Sequence, residues 1–508
     1  MLKRSSVLAS VALVAVTAGM AAPAWAETLQ EAIALAYRTN PTLLAQRANQ
    51  RALDETVPQA RAGLRPSINV GANASYSRAD AKGGGSRDVN GDGIPDVLAG
   101  GVTESNSGSA NISLSQTLWS AGRIGHGINA AEANVLGGRE NLRSIEQQVL
   151  ASVIQAYVDV QRDMEILRIR QENLTVLRRR RDETNARFEV GEITRTDVAQ
   201  SESRLAQSEA DLANAQAQLS VSRAGYAAVV GQAPTNMETP PVLPGVPTDF
   251  DAALNVGLAE NPGVRAAEYS LQAAESRVAQ ARAEYLPSVR LTASYSGSDD
   301  LSTFDLTQRT SFQAGASVSV PLFTGGLNQS RVAQARAQAD AAQIGVEGQR
   351  RTVLQNVSSA FAQVISTRAT LTAGNEAVRA ATVAAEGVRQ EAQVGLRTTL
   401  DVLNQELELR AAQVTLASAR RNEYVAQAQL LAAMGRLEGA DLDPGIDAYN
   451  PEDNYNAVRV RGALPWDGLI EAIDRIAAPP VVPAANAPDA PIDAQLKSEV
   501  VLTAPSAD

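Results

Sequence analysis

The chain has no cysteine and a single histidine in 508 residues. Disulfides and thiolate chemistry are excluded, and so are the usual histidine-cluster metal sites. The lone His126 follows a glycine-rich turn, Gly122 to Gly127, and reads as an ordinary surface or helix-start residue. Positive charge is also short. The formal net charge is −11, and it falls to −13 if Lys3 and Arg4 leave with residues 1–26. A nucleic-acid partner is excluded on that ground, because phosphate binding requires a basic surface. The sequence holds no Gly-x-x-x-x-Gly-Lys-Ser/Thr motif, so it brings no nucleotide engine of its own. Catalysis loses its commonest side chains, and a non-enzymatic role is expected. Beyond residue 26 no run of 18 apolar residues occurs, so no helix is expected to span a bilayer. If this chain crosses a membrane, it does so with strands.

What is present begins with an export signal. Lys3 and Arg4 form a basic head, Val7 to Met20 an apolar core, and Ala24-Trp25-Ala26 a cleavage site, so the mature chain is expected to start at Glu27. The rest reads twice, as residues 27–247 and 248–435. Asn40-Pro41 returns as Asn261-Pro262, and Leu64-Arg-Pro-Ser67 as Tyr285-Leu-Pro-Ser288, both 221 positions on. Leu118 to Gly122 returns as Leu322 to Gly326, 204 positions on, so the first copy has the longer loop between its strands. A repeat of this size is the duplication of a domain-sized unit, not a solenoid.

Each copy opens with an amphipathic helix, stopped and restarted by Asn-Pro. The period then changes to two. Apolar residues alternate with Ser, Asn, Thr, Gln and Gly over four predicted strands, at 66–79 and 107–119 in one copy and at 287–297 and 310–323 in the other. Tyr76, Trp119, Tyr295 and Phe323 stand near the strand ends. This is the pattern of lipid-facing barrel strands, although a soluble sheet with one wet face shares it. Four strands are too few to close alone, since the smallest membrane barrels have about eight.

Long helices follow, from Ala121 to Val190 and from Gly325 to Val394, each about 105 Å at 1.5 Å per residue. Heptad seams run through Val153, Val160, Leu167 and Leu174, and through Val357, Val364, Leu371 and Val378. Periodicity alone also suits a plain structural rod. Each long helix turns back through a matched tip: Val190-Gly-Glu-Ile-Thr-Arg-Thr-Asp-Val198 near 191–197, and Val394-Gly-Leu-Arg-Thr-Thr-Leu-Asp-Val402 near 395–401. Gly ends one helix and Thr with Asp caps the next. From 436 to 508 the chain is rich in Pro, Ala and Asp, and a largely flexible extension is expected.

The signal, the twofold repeat, the paired strands and the paired Val-Gly-x-x-Thr-x-x-Asp-Val tips together resemble the TolC family of outer-membrane efflux proteins, over residues 27–435. The resemblance implies an α+β membrane protein of Gram-negative bacteria. In it, a trimeric 12-strand β-barrel, four strands per chain, is continuous with a long periplasmic α-helical barrel of coiled-coil hairpins. It further implies a homotrimer in outer-membrane lipid, served by a periplasmic adaptor (membrane fusion) protein and an inner-membrane transporter. The expected role is an exit duct, with type I protein secretion favoured and small-molecule or metal efflux as the alternative. The rival of another class is a structural periplasmic coiled coil or adaptor.

Carried over by position, Asp401 matches the family's first aperture aspartate, while Asn404 stands where the second belongs. Arg397 matches the basic residue that links neighbouring hairpins, with Asp197 as its expected partner; the family's latch tyrosine falls on Ala392. Plain helix capping by both aspartates is the alternative. Arg178 to Arg181 offer either an adaptor contact or a solvated face paired with acidic neighbours. Finally, Asp88, Asn90, Asp92 and Asp96 in the long first loop have the alternation of a calcium loop, making Ca2+ a candidate cofactor, although Ala99 stands where such a loop has Glu.

Overall fold

The structure, a computed structural model, describes residues 27–81, 101–300 and 309–484. The calcium-loop residues Asp88, Asn90, Asp92 and Asp96 lie outside them. The two copies share one element order, except that a short additional helix precedes the strands in the first. The first runs α1 (Leu29–Thr39), α2 (Pro41–Asp54), α3 (Thr56–Arg61), β1 (Ser67–Ala81), β2 (Gly101–Trp119), α4 (Arg123–Glu189) and α5 (Arg195–Val230). The second runs α6 (Phe250–Glu260), α7 (Pro262–Ala283), β3 (Ser288–Asp300), β4 (Thr310–Ser319), α8 (Leu327–Gln393) and α9 (Thr399–Met434). Three short helices follow: α10 (Gly439–Leu442), α11 (Pro451–Val458) and α12 (Asp467–Asp474). The long helices α4 and α8 are 67 residues each, and their return partners α5 and α9 are 36 each. The chain divides into two compact units, one of Met1–Thr39, Ser152–Leu243 and Thr370–Val425, the other of Asn40–Ala151, Pro244–Ala369 and Ala426–Asp508.

In the second of these units the strands form one antiparallel sheet in the order β1-β2-β3-β4. Its register sorts side chains by face. One face carries the rows Val70, Ile112, Tyr295, Phe312 and Ile68, Leu114, Ala293, Ala314. The other carries Asn69, Ser113, Ser294, Gln313 and Gly71, Asn111, Ser296, Ser311. Hydroxyl pairs cross-link the polar face, Ser67 to Ser115 at 3.0 Å and Ser75 to Ser107 at 2.8 Å. On the apolar face Ile68, Val70, Tyr76, Phe312 and Val318 are all exposed. β4 stops short of the expected 323 because Pro321 has no N–H to give the ladder. β1 and β2 run further than expected, where Arg78 pairs with Glu104 across the register at 3.0 Å.

The helices of this unit are fixed at their ends. Asn40 and Asn261 each cap the helix that follows, accepting from Thr42 N at 3.0 Å and from Gly263 N at 2.8 Å. A core of Phe250, Leu254, Val264, Val353, Val357, Phe361 and Leu430 joins α6 and α7 to α8 and the end of α9. His126, at the head of α4 as expected, is buried there, and burial pulls its imidazole below the usual range.

The expectation of a largely flexible extension after residue 435 does not hold for residues 436–484. Composition missed it because the partners lie far back in sequence: the segment docks by polar contacts and by a few buried apolar side chains such as Val458 and Ile470. Asp474 is fully buried and accepts from Ser120 N at 2.6 Å, Ser120 Oγ at 2.7 Å and Gly125 N at 3.2 Å. Asn454 donates to Asp54 at 2.7 Å, and Arg139 pairs with Glu452 at 3.0 Å.

In the other unit, Glu27 is held like a keystone. Its carboxylate accepts from the Tyr226 hydroxyl, from Gln232 Nε2 at 2.9 Å and from Thr235 N at 3.2 Å. Tyr157 Oη donates to the Glu27 carbonyl at 2.8 Å and to that of Glu238 at 2.7 Å. Burial and the adjoining glutamate push both tyrosine hydroxyls well above their usual range. The expected first residue of the mature chain is thus a buried part of the fold.

Gly435 ends α9 with φ +81°, and a Cβ there would meet the Glu260 carbonyl oxygen at 2.8 Å. Gly191 and Gly395 have similar angles and open space around them. Alanine at 191 or 395 is expected to cost about 1–2 kcal/mol, the left-handed penalty alone. Alanine at Gly435 is expected to cost clearly more, since backbone must also move. Apparent unfolding midpoints followed by far-UV circular dichroism in detergent check that order.

Candidate functional site

The two hairpin tips lie in the same unit and have the same backbone. At the first, Gly191 N bonds to Phe188 O at 2.9 Å and Glu192 N to Arg187 O at 2.9 Å. At the second, Gly395 N bonds to Ala392 O at 3.2 Å and Leu396 N to Glu391 O at 3.0 Å. These are the paired bonds that close a helix through a left-handed glycine. The next helix then starts from a reciprocal cap. Thr194 N and Oγ1 donate to Asp197 Oδ2 at 3.0 and 2.8 Å, and Asp197 N donates back to Thr194 Oγ1 at 3.4 Å. Thr398 and Asp401 repeat it at 3.0, 2.8 and 3.2 Å. Both aspartates therefore cap their own helices. At Asp401 the Thr398 N–H and hydroxyl, with Arg397 nearby, hold the carboxyl below its usual range, so it is ionised at neutral pH.

Each tip also carries an ion pair across its turn, with the signs exchanged. Arg187, in the last helical turn, pairs with Glu192 in the loop at 2.8 Å. In the second copy Glu391 occupies the helical position and Arg397 the loop, 2.7 Å apart. Within one chain, then, Arg397 meets Glu391 and Asp197 meets Thr194; the structure does not bring Arg397 and Asp197 together. Both pairs are exposed, and water screens them.

Behind the tips, the first hairpin packs on α9. Leu403 is buried against Leu174, Leu177 and Leu205. Asn404, one turn beyond Asp401, accepts from Arg204 Nη2 at 3.1 Å. Where the resemblance implied a second aspartate, this chain ties an amide to an arginine on α5. Further along, Arg410 lies 3.6 Å from Glu172, and Arg421 forks onto Asp159 at 2.8 and 3.3 Å. Three arginines of the 178–181 run meet acidic neighbours: Arg178 with Glu209 at 3.5 Å, Arg180 with Glu183 at 2.8 Å, and Arg181 with Asp182 at 2.8 Å.

One residue escaped the sequence reading. Glu406 is buried, with Arg180 at 3.7 Å and Arg389 at 3.5 Å on Oε1, and no hydrogen bond reaches its Oε2. It joins α4 of the first hairpin to both helices of the second. A signal was there: Glu406 stands four residues after Val402 and three before Leu409, on the buried stripe itself. A carboxylate in that stripe demands partners.

No cluster of metal-binding side chains occurs among the described residues. The sequence profile described as outer membrane efflux protein matches residues 32–232 and 253–436. The outer membrane efflux protein BepC of Brucella suis is 33% identical over 446 residues, covering 88% of this chain and 92% of its own. The alkaline protease secretion protein AprF of Pseudomonas aeruginosa is 28% identical, covering 61% of this chain and 66% of its own. Among solved structures, the outer membrane channel CmeC of Campylobacter jejuni aligns at a TM-score of 0.69 and 16% identity, over 85% of this chain and 89% of its own. The fold is thus that of the TolC-type channels, and the setting is the Gram-negative outer membrane, with the helices in the periplasm. A structural coiled coil or adaptor is set aside, and the chain works as an efflux channel, not an enzyme. With the repeat, the sheet and the capped tips all accounted for, the chain belongs to the outer membrane efflux protein family.

Proposed function

We propose that three copies of this chain form one exit duct, which a periplasmic adaptor connects to an inner-membrane transporter, and that its cargo is protein. The observation that carries the duct is the open four-stranded sheet with one apolar and one hydroxyl-rich face. Three such sheets make twelve strands with a wet interior, a number that closes. The two hairpins of each chain would line the periplasmic end in the same threefold ring. Energy must come from the partner, since the chain has no nucleotide-binding loop.

At the tips the closed state follows from charge. Three copies of Asp401 around a narrow axis attract cations and repel anions, and within each chain the Thr398 donors and Arg397 favour the charged carboxylate. Asn404 adds no second ring. Among the described residues Arg397 is held by a solvated pair to Glu391, with Asp401 nearby, and such a pair can be exchanged for Asp197 of a neighbouring hairpin when the ring closes. Ala392 lacks the hydroxyl that a tyrosine would bring to this latch.

The secretion reading draws on AprF, whose name states protease secretion; the efflux reading draws on BepC, which is more similar and is named for efflux. Small-molecule or metal efflux is therefore the second reading.

In planar bilayers, Arg397→Ser with Asp197→Ser is expected to raise single-channel conductance several-fold, and unchanged conductance removes the latch. In the same set-up Asp401→Asn is expected to weaken cation preference. The Thr398 donors and Arg397 favour the ionised Asp401 carboxylate while the two like charges across the axis oppose it, so the wild-type preference should fade as the pH falls into the carboxylate range. For the cargo, a deletion strain is expected to lose an abundant protein from its culture medium. An intact secretome with heightened sensitivity to toxic small molecules favours efflux instead.

A further inference from the structure

The last described helix of the extension, α12, is amphipathic in the reverse sense. Its acidic side chains face the protein. Asp467 pairs with Arg65 at 2.8 Å, Glu471 lies 3.9 Å from Arg61, and Asp474 is enclosed by Ser120 and Gly125. Only Ile470 joins them inward, against Leu64 and Ile128. The opposite face is apolar and open: Trp466 is 47% exposed, Leu469 63% and Ile476 62%, with Ile473 half-buried between them. Leu469 and Ile473 lie on one side of the helix, and Trp466 at its N-cap and Ile476 just past its end continue the spacing of three, four and three residues. Arg475, on the same stretch, is exposed.

The place of this stripe says what covers it. Trp119, the last residue of β2, donates its indole N–H to the Ile476 carbonyl at 2.9 Å. A bulge between Thr117 and Trp119 turns Trp119 opposite Val289, which in turn faces Val318. That is the end row of the sheet's apolar face. The helix therefore continues the lipid-facing surface at the strand ends where the chain enters α4.

We propose that α12 lies in the periplasmic leaflet of the outer membrane, with Trp466, Leu469, Ile473 and Ile476 among the acyl chains and Arg475 at the phosphates. A tryptophan with an apolar body and a polar N–H suits that boundary, and a short helix lying in the plane needs only one apolar face. The half-buried ion pairs and the enclosed Asp474 hold the helix in its inverted orientation, since turning it over would strip three carboxylates of their partners. The extension thereby anchors the foot of the barrel in lipid.

The inference rests on the apolar sheet face being the lipid face, and one experiment separates the two. The absence of cysteine allows single nitroxide labels in the full processed protein at Leu469→Cys, Ile476→Cys, Val70→Cys on the sheet and Ala448→Cys as a water-facing control. All four sites are exposed, so the labels need not disturb packing. Collision with oxygen and with a water-soluble nickel chelate is measured in vesicles of phosphatidylethanolamine and phosphatidylglycerol. The oxygen-to-nickel ratio is expected to be several-fold higher at 469, 476 and 70 than at 448. A high ratio at 70 with nickel-dominated collisions at 469 and 476 overturns the anchor and leaves the barrel standing. Low access to both reagents at 469 and 476 means that protein covers the stripe, and that also overturns it. A nickel-dominated Val70 overturns the lipid face and the anchor with it.

Discussion

Two unpaired sheet edges govern this molecule. β1 and β4 each present a row of backbone donors and acceptors that no other described strand takes up. In hydrocarbon each such group costs several kcal/mol, so an open sheet cannot remain in a bilayer. The exposed apolar face bars the alternative of resting in water, because Val70, Phe312 and their neighbours form a continuous patch. Both demands have one solution: other copies pair the edges, lipid covers one face, and water fills the other. Three copies, as proposed, would meet both demands with twelve strands around a central passage.

The helical parts answer a different need, which is to hold a long antiparallel pair in register without a large core. The apolar stripe is thin and alanine-rich, so much of the alignment falls to charge. Asp159 with Arg421, Glu172 with Arg410, and Glu406 with two arginines mark successive levels along the first hairpin and α9. Ion pairs of this kind add little net stability, yet a shift in register would leave each of them unmet. At the tips the cost is kept low. Capping threonines and aspartates satisfy the helix starts, while the turn-spanning ion pairs stay solvated.

Much of this was legible in the sequence, for identifiable reasons. Caps, left-handed glycines and strand alternation are local, and Asn40, Asn261, Gly191, Gly395 and the Ile68 to Tyr76 run sit where such rules put them. Asp197 and Asp401 were legible as caps, and the structure adds that each also receives its threonine's hydroxyl. What escaped was non-local. Asp474 reads as one more acidic residue in a Pro/Ala/Asp-rich tail until Ser120, 354 positions earlier, is seen to enclose it. Glu406 could have been suspected from its place on an apolar stripe, but its two arginines could not have been named. The inverted face of α12 was hidden for the same reason, since amphipathicity alone does not say which side is inward.

The central claim is that the sheet is completed by copies of the same chain, and native mass spectrometry of the detergent-solubilised protein, released gently from its micelle, tests it most directly. The account predicts one dominant species of three processed chains. A dominant monomer or dimer, folded and free of detergent, would contradict it.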